Sequence, residues 1–121
     1  MLKGIPFVIV WTEDVQRLVP FYRDTLGLAP EMETPEFVSF KSDGGAQMAI
    51  GQHSEVRGKS SDPLRVMVNF QVDDCREEYE RLAGKGVEFI RAASEDQGGS
   101  ILATFLDPDG NTLQLFQQTS A

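Results

Sequence analysis

The chain has one cysteine, Cys75, and one histidine, His53, in 121 residues. A single thiol excludes both an intrachain disulfide framework and a thiolate-rich metal site. Basic residues are also scarce, with 11 Lys and Arg against 19 Asp and Glu, giving a formal net charge of −8. A phosphate backbone would repel such a chain and no basic cluster offsets the repulsion, so nucleic acid is not an expected partner. No apolar run approaches the roughly 18–20 residues of a membrane span, and no membrane partner is expected. Met1-Leu2-Lys3-Gly4 does not begin a signal peptide, which makes the cytoplasm the expected compartment. A phosphate-cradling loop is missing too, because Gly44-Gly45 and Gly98-Gly99 fall between strands and not ahead of helices. No nucleophile elbow precedes a helix. What remains is an ordinary soluble composition, 40 % apolar and 25 % charged, in a chain long enough to bury a core unaided.

The strongest local signal is Asp107-Pro108-Asp109-Gly110, which stops one apolar run just before a strongly alternating one restarts. Proline presets φ for the turn and Gly110 accepts a positive φ, so an antiparallel hairpin is expected. Its first strand is Ile101 to Leu106 and its second Thr112 to Gln117. Earlier in the chain Phe7 to Trp11 reads as a strand, and Asp14 caps a helix that ends at Gly27. Pro20 splits that helix into a first turn near Asp14–Arg17 and a main part from about Pro20. Phe37 to Lys41 and Gln47 to Gly51 follow as strands around Ser42-Asp43-Gly44-Gly45.

Gln52 to Arg65 is polar and reads as a linker, after which the order repeats. Arg65 to Val72 is a strand, and Asp74 caps a helix with a buried stripe at Cys75, Tyr79, Leu82 and Ala83. Val87 to Arg91 is a strand and Ser94 to Gly99 a loop. Asp14 and Asp74, Gly27 and Gly86, Asp43-Gly44 and Asp109-Gly110 recur roughly sixty residues apart. This is an internal duplication within one domain: a module at about 1–55, a linker at about 52–65 and a second module at about 65–121. The expected fold class is α+β, two paired βαβββ modules whose curled mixed sheets surround a cleft.

Period-two alternation sorts the strand residues into two faces. Val8, Val10, Met48, Ile50, Val66, Val68, Phe70, Val72, Leu113 and Leu115 form a uniformly apolar face that suits a covering helix. The opposite face holds Phe7, Ile9 and Trp11, then Gln47, Ala49 and Gly51, then Met67, Asn69 and Gln71, and finally Thr112, Gln114 and Phe116. A pure core would not carry the amides, since a buried amide without partners costs on the order of 1–3 kcal/mol. A pure solvent face would not carry Phe7, Trp11, Met67 and Phe116. Apolar walls with a few oriented amides describe a ligand cleft, the alternative being an exposed face or a subunit interface.

Two motifs carry a resemblance to a known family. Asp14 through Leu28, with Pro20-Phe21-Tyr22-Arg23-Asp24 and Leu26-Gly27-Leu28, resembles the helix of the glyoxalase / bleomycin resistance / extradiol dioxygenase superfamily, the vicinal oxygen chelate fold. Asp107-Pro108-Asp109-Gly110-Asn111 with Leu113-Gln114-Leu115 resembles its closing hairpin. The resemblance spans essentially the whole chain and implies a homodimer with composite sites. The family's metal enzymes take His or Glu ligands at positions that fall here on Phe7, Ala49, Met67 and Gln114. None of these is a His or a carboxylate, so no metal and no cofactor is expected. His53 lies off these positions and reads as a solvated loop side chain, as do Glu31, Glu33, Glu36, Glu95 and Asp96.

The expected function is therefore metal-independent binding of a small molecule, cationic or aromatic, for drug resistance or sensing. Phe7, Ile9, Trp11, Ala49, Met67, Asn69, Gln71, Gln114 and Phe116 are the expected ligand-binding residues, with no catalytic residue assigned. The alternatives are a glyoxalase-like lyase or dioxygenase-related enzyme with an atypical or metal-free site, and a non-catalytic dimeric interaction module.

Overall fold

The computed structural model describes residues 1–96 and 98–119. Contacts divide the chain into two units, Met1–Gly58 and Lys59–Ala121. The first contains β1 (Phe7–Thr12), α1 (Val15–Pro20), β2 (Pro30–Thr34), β3 (Phe37–Phe40) and β4 (Gln47–Gln52). The second contains β5 (Val68–Gln71), α2 (Cys75–Gly84), β6 (Phe89–Glu95), β7 (Ile101–Leu106) and β8 (Thr112–Gln117). Both follow the βαβββ order, and each makes one open four-stranded mixed sheet, ordered β1-β4-β3-β2 and β5-β8-β7-β6. The first strand of each unit lies parallel to the last, and the other pairings are antiparallel. The fold class is α+β.

Each helix begins where an aspartate in extended conformation turns its carboxylate onto the next turn. Asp14 accepts from the Gln16 N–H at 3.1 Å, and Asp74 from the Glu77 N–H at 3.1 Å. Such a cap stabilises a helix by about 1 kcal/mol. The apolar positions then pack on one side of the sheet. In the first unit Val15, Leu18 and Tyr22 are fully buried along with Ile50, and Phe40 is nearly so. In the second unit Cys75 and Leu82 are buried with Phe105, Leu113 and Leu115. Each large side chain buried completely contributes about 1.5–3 kcal/mol.

Pro20 marks a change in the first helix as expected, but the part before it is longer than a single turn and no α-helix begins at it. It sits at the end of α1, and the chain continues as a π-helical turn over Phe21–Thr25. Proline has no N–H to give the carbonyl four residues back, and its ring crowds that carbonyl. The α-helical segment accordingly stops there, and in the wider turn that follows the Leu26 N–H reaches the Phe21 carbonyl at 2.9 Å. Gly27, at φ +84°, then turns the chain out of the helix.

Other boundaries also depart from the sequence reading. β2 was not expected; its Pro and Glu residues have poor strand propensity, and it forms because β3 offers an edge to pair with. Glu31 and Glu33 therefore sit on an edge strand and not in a loop. The strand expected from Arg65 starts only at Val68, and Val66, assigned to the core face, is 71 % exposed. A turn accounts for the late start, with the Arg65 N–H on the Asp62 carbonyl at 3.2 Å and Arg65 Nε on the Asp62 carboxylate at 2.8 Å. Ala83 is exposed instead of buried, because α2 is short and only Cys75 and Leu82 face fully inward. β6 runs on to Glu95, through the start of the expected loop Ser94 to Gly99; Gln97 of that loop lies outside the described residues.

The closing hairpin forms where Asp-Pro-Asp-Gly placed it. The Asp107 carboxylate is almost completely buried and accepts from the backbone N–H of Asp109 and of Asn111, both at 2.9 Å, and from Asn111 Nδ2 at 2.8 Å. No helix among the described residues is long and apolar enough to cross a membrane.

Candidate functional site

In the first unit the parallel register places Phe7 beside Gln47, Ile9 beside Ala49 and Trp11 beside Gly51. Phe7 is 52 % exposed, Ile9 38 % and Trp11 43 %, while Val8 and Val10 between them turn toward the helix side. Three large apolar side chains thus stand exposed in a row on the one strand. Gly51 makes room for the largest of them: a Cβ there would sit 2.5 Å from the Trp11 ring and 3.2 Å from the Phe37 ring. Ala49 was expected to line the ligand face, but it is fully buried and offers no surface of its own.

His53 was expected to be a solvated loop residue; it does lie in the loop just past β4, but half-buried against a ring and not fully solvated. Its ring meets the Trp11 ring edge-on, with centroids 5.5 Å apart. Parallel pairing explains this, since β1 and β4 end side by side and the His53 N–H reaches the Thr12 carbonyl at 3.0 Å. His53 Nδ1 accepts from the Glu55 N–H at 3.1 Å. Beside this contact lies an open depression of about 670 Å³ lined by Glu13, Glu36, Gln52, His53, Ser54 and Arg57. Once β1 and β4 are paired in parallel, His53, one step past β4, falls beside Glu13, one step past β1.

In the second unit Asn69 lies beside Gln114 and Gln71 beside Phe116. Met67, 39 % exposed, precedes the strand. Gln114 also lies opposite Thr104, and the three side chains form a hydrogen-bond chain. The Thr104 hydroxyl donates to Gln114 Oε1 at 3.0 Å, and Gln114 Nε2 donates to Asn69 Oδ1 at 2.7 Å. Both ends of the Gln114 amide are engaged. Thr112, two residues earlier and on the same face by alternation, is buried, and its hydroxyl has no hydrogen-bond partner among the described residues.

These residues do not fit a metal. Phe7 and Ala49 have no donor atom and Met67 has only a soft thioether. Gln114 has one suitable oxygen, already accepting from Thr104. Among the described residues no group of three or more His, Cys, Asp and Glu could hold an ion. Cys75 is no candidate nucleophile either, because burial pushes its thiol above the usual range.

The comparisons with known proteins agree with this fold. The family described as "Glyoxalase/Bleomycin resistance protein/Dioxygenase superfamily" matches residues 4–115. A curated relative, the uncharacterised protein YetH of Bacillus subtilis, is 26 % identical over 95 % of this chain and 98 % of its own. A glyoxalase/bleomycin resistance protein/dioxygenase from Nocardioides superposes with a TM-score of 0.81 at 21 % identity, over all of this chain and 87 % of that one. A lactoylglutathione lyase from Agrobacterium tumefaciens gives 0.75 at 20 % identity, covering 96 % and 94 % of the two chains.

Proposed function

The chain belongs to the glyoxalase/bleomycin resistance protein/dioxygenase superfamily, and from that premise we propose that it binds a small molecule without a metal, for sequestration or sensing. The observation that carries this reading is the Thr104–Gln114–Asn69 chain. At a position where metal-dependent members carry a ligand, this protein holds an amide tied at both ends. An amide so fixed orients a ligand through its spare N–H and gives a divalent ion little to bind. The exposed row Phe7, Ile9 and Trp11 suits a planar or apolar ligand, which gains burial and ring contact there. The reading includes a homodimer in the cytoplasm, with size-exclusion chromatography as the check on the dimer.

A second reading has one observation in its favour. Glu13, Glu36 and His53 around the depression are groups able to move a proton, so a metal-free enzyme is the competitor.

Elemental analysis of protein purified without chelator separates these readings from the family's metal chemistry. Substoichiometric metal is expected, and one tightly held Zn, Ni, Mn or Fe per chain would sink the proposal. In a thermal-shift screen of aromatic compounds, ligands should raise the melting temperature. Trp11→Ala in the first unit or Gln114→Ala in the second should remove that shift, according to which face takes the compound, and leave the fold intact. If Trp11→Ala instead dissociates a dimer and no compound binds, the exposed row is an interface.

A further inference from the structure

We infer that the β6 end of the sheet face turned away from α2 recognises an oxyanion, a carboxylate or phosphate on a small ligand, with Arg91 as its charged contact; the middle of that face is closed at the buried Thr104. This rests on the small-molecule reading above and names the chemistry of the ligand. The register runs one polar row across all four strands: Asn69 beside Gln114, Gln114 opposite Thr104, Thr104 opposite Arg91.

Arg91 joins that row only because β6 is irregular. Phe89 pairs with Phe105 and packs against Tyr79 of α2, with ring centroids 4.6 Å apart. In a regular strand Arg91, two residues on, would share the face of Phe89 and push a guanidinium under the helix. The register shifts between Phe89 and Arg91, and the extra residue sends Arg91 to the open face. A second shift before Ser94 brings that residue to the same face, where its hydroxyl accepts from Arg91 Nε at 3.1 Å. This bond fixes the plane of the guanidinium and leaves its two terminal nitrogens to point elsewhere. Arg91 is half-buried and forms no ion pair with any described residue. An arginine partly removed from water normally has a counter-charge, and here a ligand would supply it.

The hydrogen-bond chain along the row points the same way. Thr104 donates to Gln114 Oε1 and Gln114 to Asn69 Oδ1, which occupies one lone pair of each amide oxygen. The row keeps donors at both ends, the Asn69 amide N–H groups at one and the guanidinium at the other. A face with surplus donors and a fixed cation suits an acceptor-rich, negatively charged group. The net charge of −8 opposes an anion only at long range, where salt screens beyond about 8–10 Å. A bidentate contact to Arg91 acts at hydrogen-bond distance and is little affected by it.

The test titrates the full chain calorimetrically with benzoate, phenyl phosphate, benzyl alcohol and benzylammonium, four probes sharing one ring. At least one of the two anions should bind about tenfold more tightly than the alcohol or the ammonium, in line with a charge-assisted hydrogen bond. The order of benzoate and phenyl phosphate identifies which oxyanion the face takes. Arg91→Gln should bring the preferred anion down to the affinity of benzyl alcohol, and Arg91→Lys should keep part of the preference, with unfolding temperatures near that of the parent. If benzyl alcohol or benzylammonium binds as tightly as the anions, or Arg91→Gln leaves anion affinity unchanged, the oxyanion inference is overturned and small-molecule binding stands. If none of these probes binds and no compound shifts the melting temperature, both fall.

Discussion

The two units share one backbone plan and differ in what they place on its open side. Facing the helices, β1 and β4 pair Val8 with Met48 and Val10 with Ile50, while β5 and β8 pair Val68 with Leu113 and Phe70 with Leu115. Facing away, Ile9 with Ala49 corresponds to Asn69 with Gln114, and Trp11 with Gly51 corresponds to Gln71 with Phe116. In the last comparison the ring has changed strands: large beside small in the first unit, middling beside large in the second. Because side chains alternate with a period of two, one face stays apolar while the other is rewritten. The first unit has become an aromatic surface and the second a hydrogen-bonded polar row.

Gly51→Ala probes the pairing on which the aromatic surface depends, and it should have the largest effect. A Cβ at 2.5 Å from the Trp11 ring forces the ring to move and disturbs its edge contact with His53. Overpacking of this kind costs about 1–3 kcal/mol, to be read from urea unfolding. Trp11 is the only tryptophan, so its fluorescence reports the displacement directly. Unchanged emission together with unchanged stability would show that Trp11 is not seated on Gly51, and the large-beside-small description of the first unit would fail.

Thr112→Val tests the second unit and should have a smaller effect, in the opposite direction. By position Thr112 corresponds to Gln47, and the two differ in their partners. Gln47 Nε2 donates to the Phe40 carbonyl at 3.3 Å and to Glu31, while the buried Thr112 hydroxyl has no partner among the described residues. Replacing that hydroxyl by a methyl of nearly the same shape removes its desolvation penalty, and the variant should gain about 1 kcal/mol. A loss of stability would mean that the hydroxyl is satisfied, and the contrast with Gln47 would disappear.

Sequence pattern reached the parts of this fold that depend on local chemistry. Asp14 and Asp74 are short acceptors ahead of apolar periodicity, and they cap the helices. Asp107 to Gly110 turns the final hairpin. Alternation put Phe7, Ile9 and Trp11 together, and likewise Asn69, Gln71, Gln114 and Phe116. What it missed depends on pairing partners. β2 exists because β3 has a free edge, which Pro30 and its glutamates do not announce. Arg91 read as the end of a strand, since nothing in Phe89-Ile90-Arg91 marks a bulge; only its partner β7 defines the extra residue. The contact of His53 with Trp11 went unread because the two are remote in sequence and adjacent only through the parallel register. Ala49 shows the reverse error: the right face, but no exposed surface.

The last contrast concerns how each helix is tied by charge. In the first unit Arg23 bonds to Asp24 at 3.0 Å and reaches across to Glu33 on β2 at 3.3 Å. In the second, Arg81 pairs at 2.8 Å with Glu78 on its own helix. The hydrogen bond from Arg23, with its charge, holds the Asp24 carboxyl below its ordinary value of 3.8. A carboxyl lowered on folding adds stability that is fully present above its unfolded pKa and lost as pH falls through its folded one. The difference between the parent and Asp24→Asn should therefore be constant near neutral pH and close only in acid, below about pH 4. Both groups are exposed and screened, so this effect is the smallest expected, and it should shrink further in high salt. Acid unfolding curves of the two proteins measure it. A gap that opens as the pH falls would show that the carboxyl is raised on folding, and Asp24 would then not be paired with Arg23.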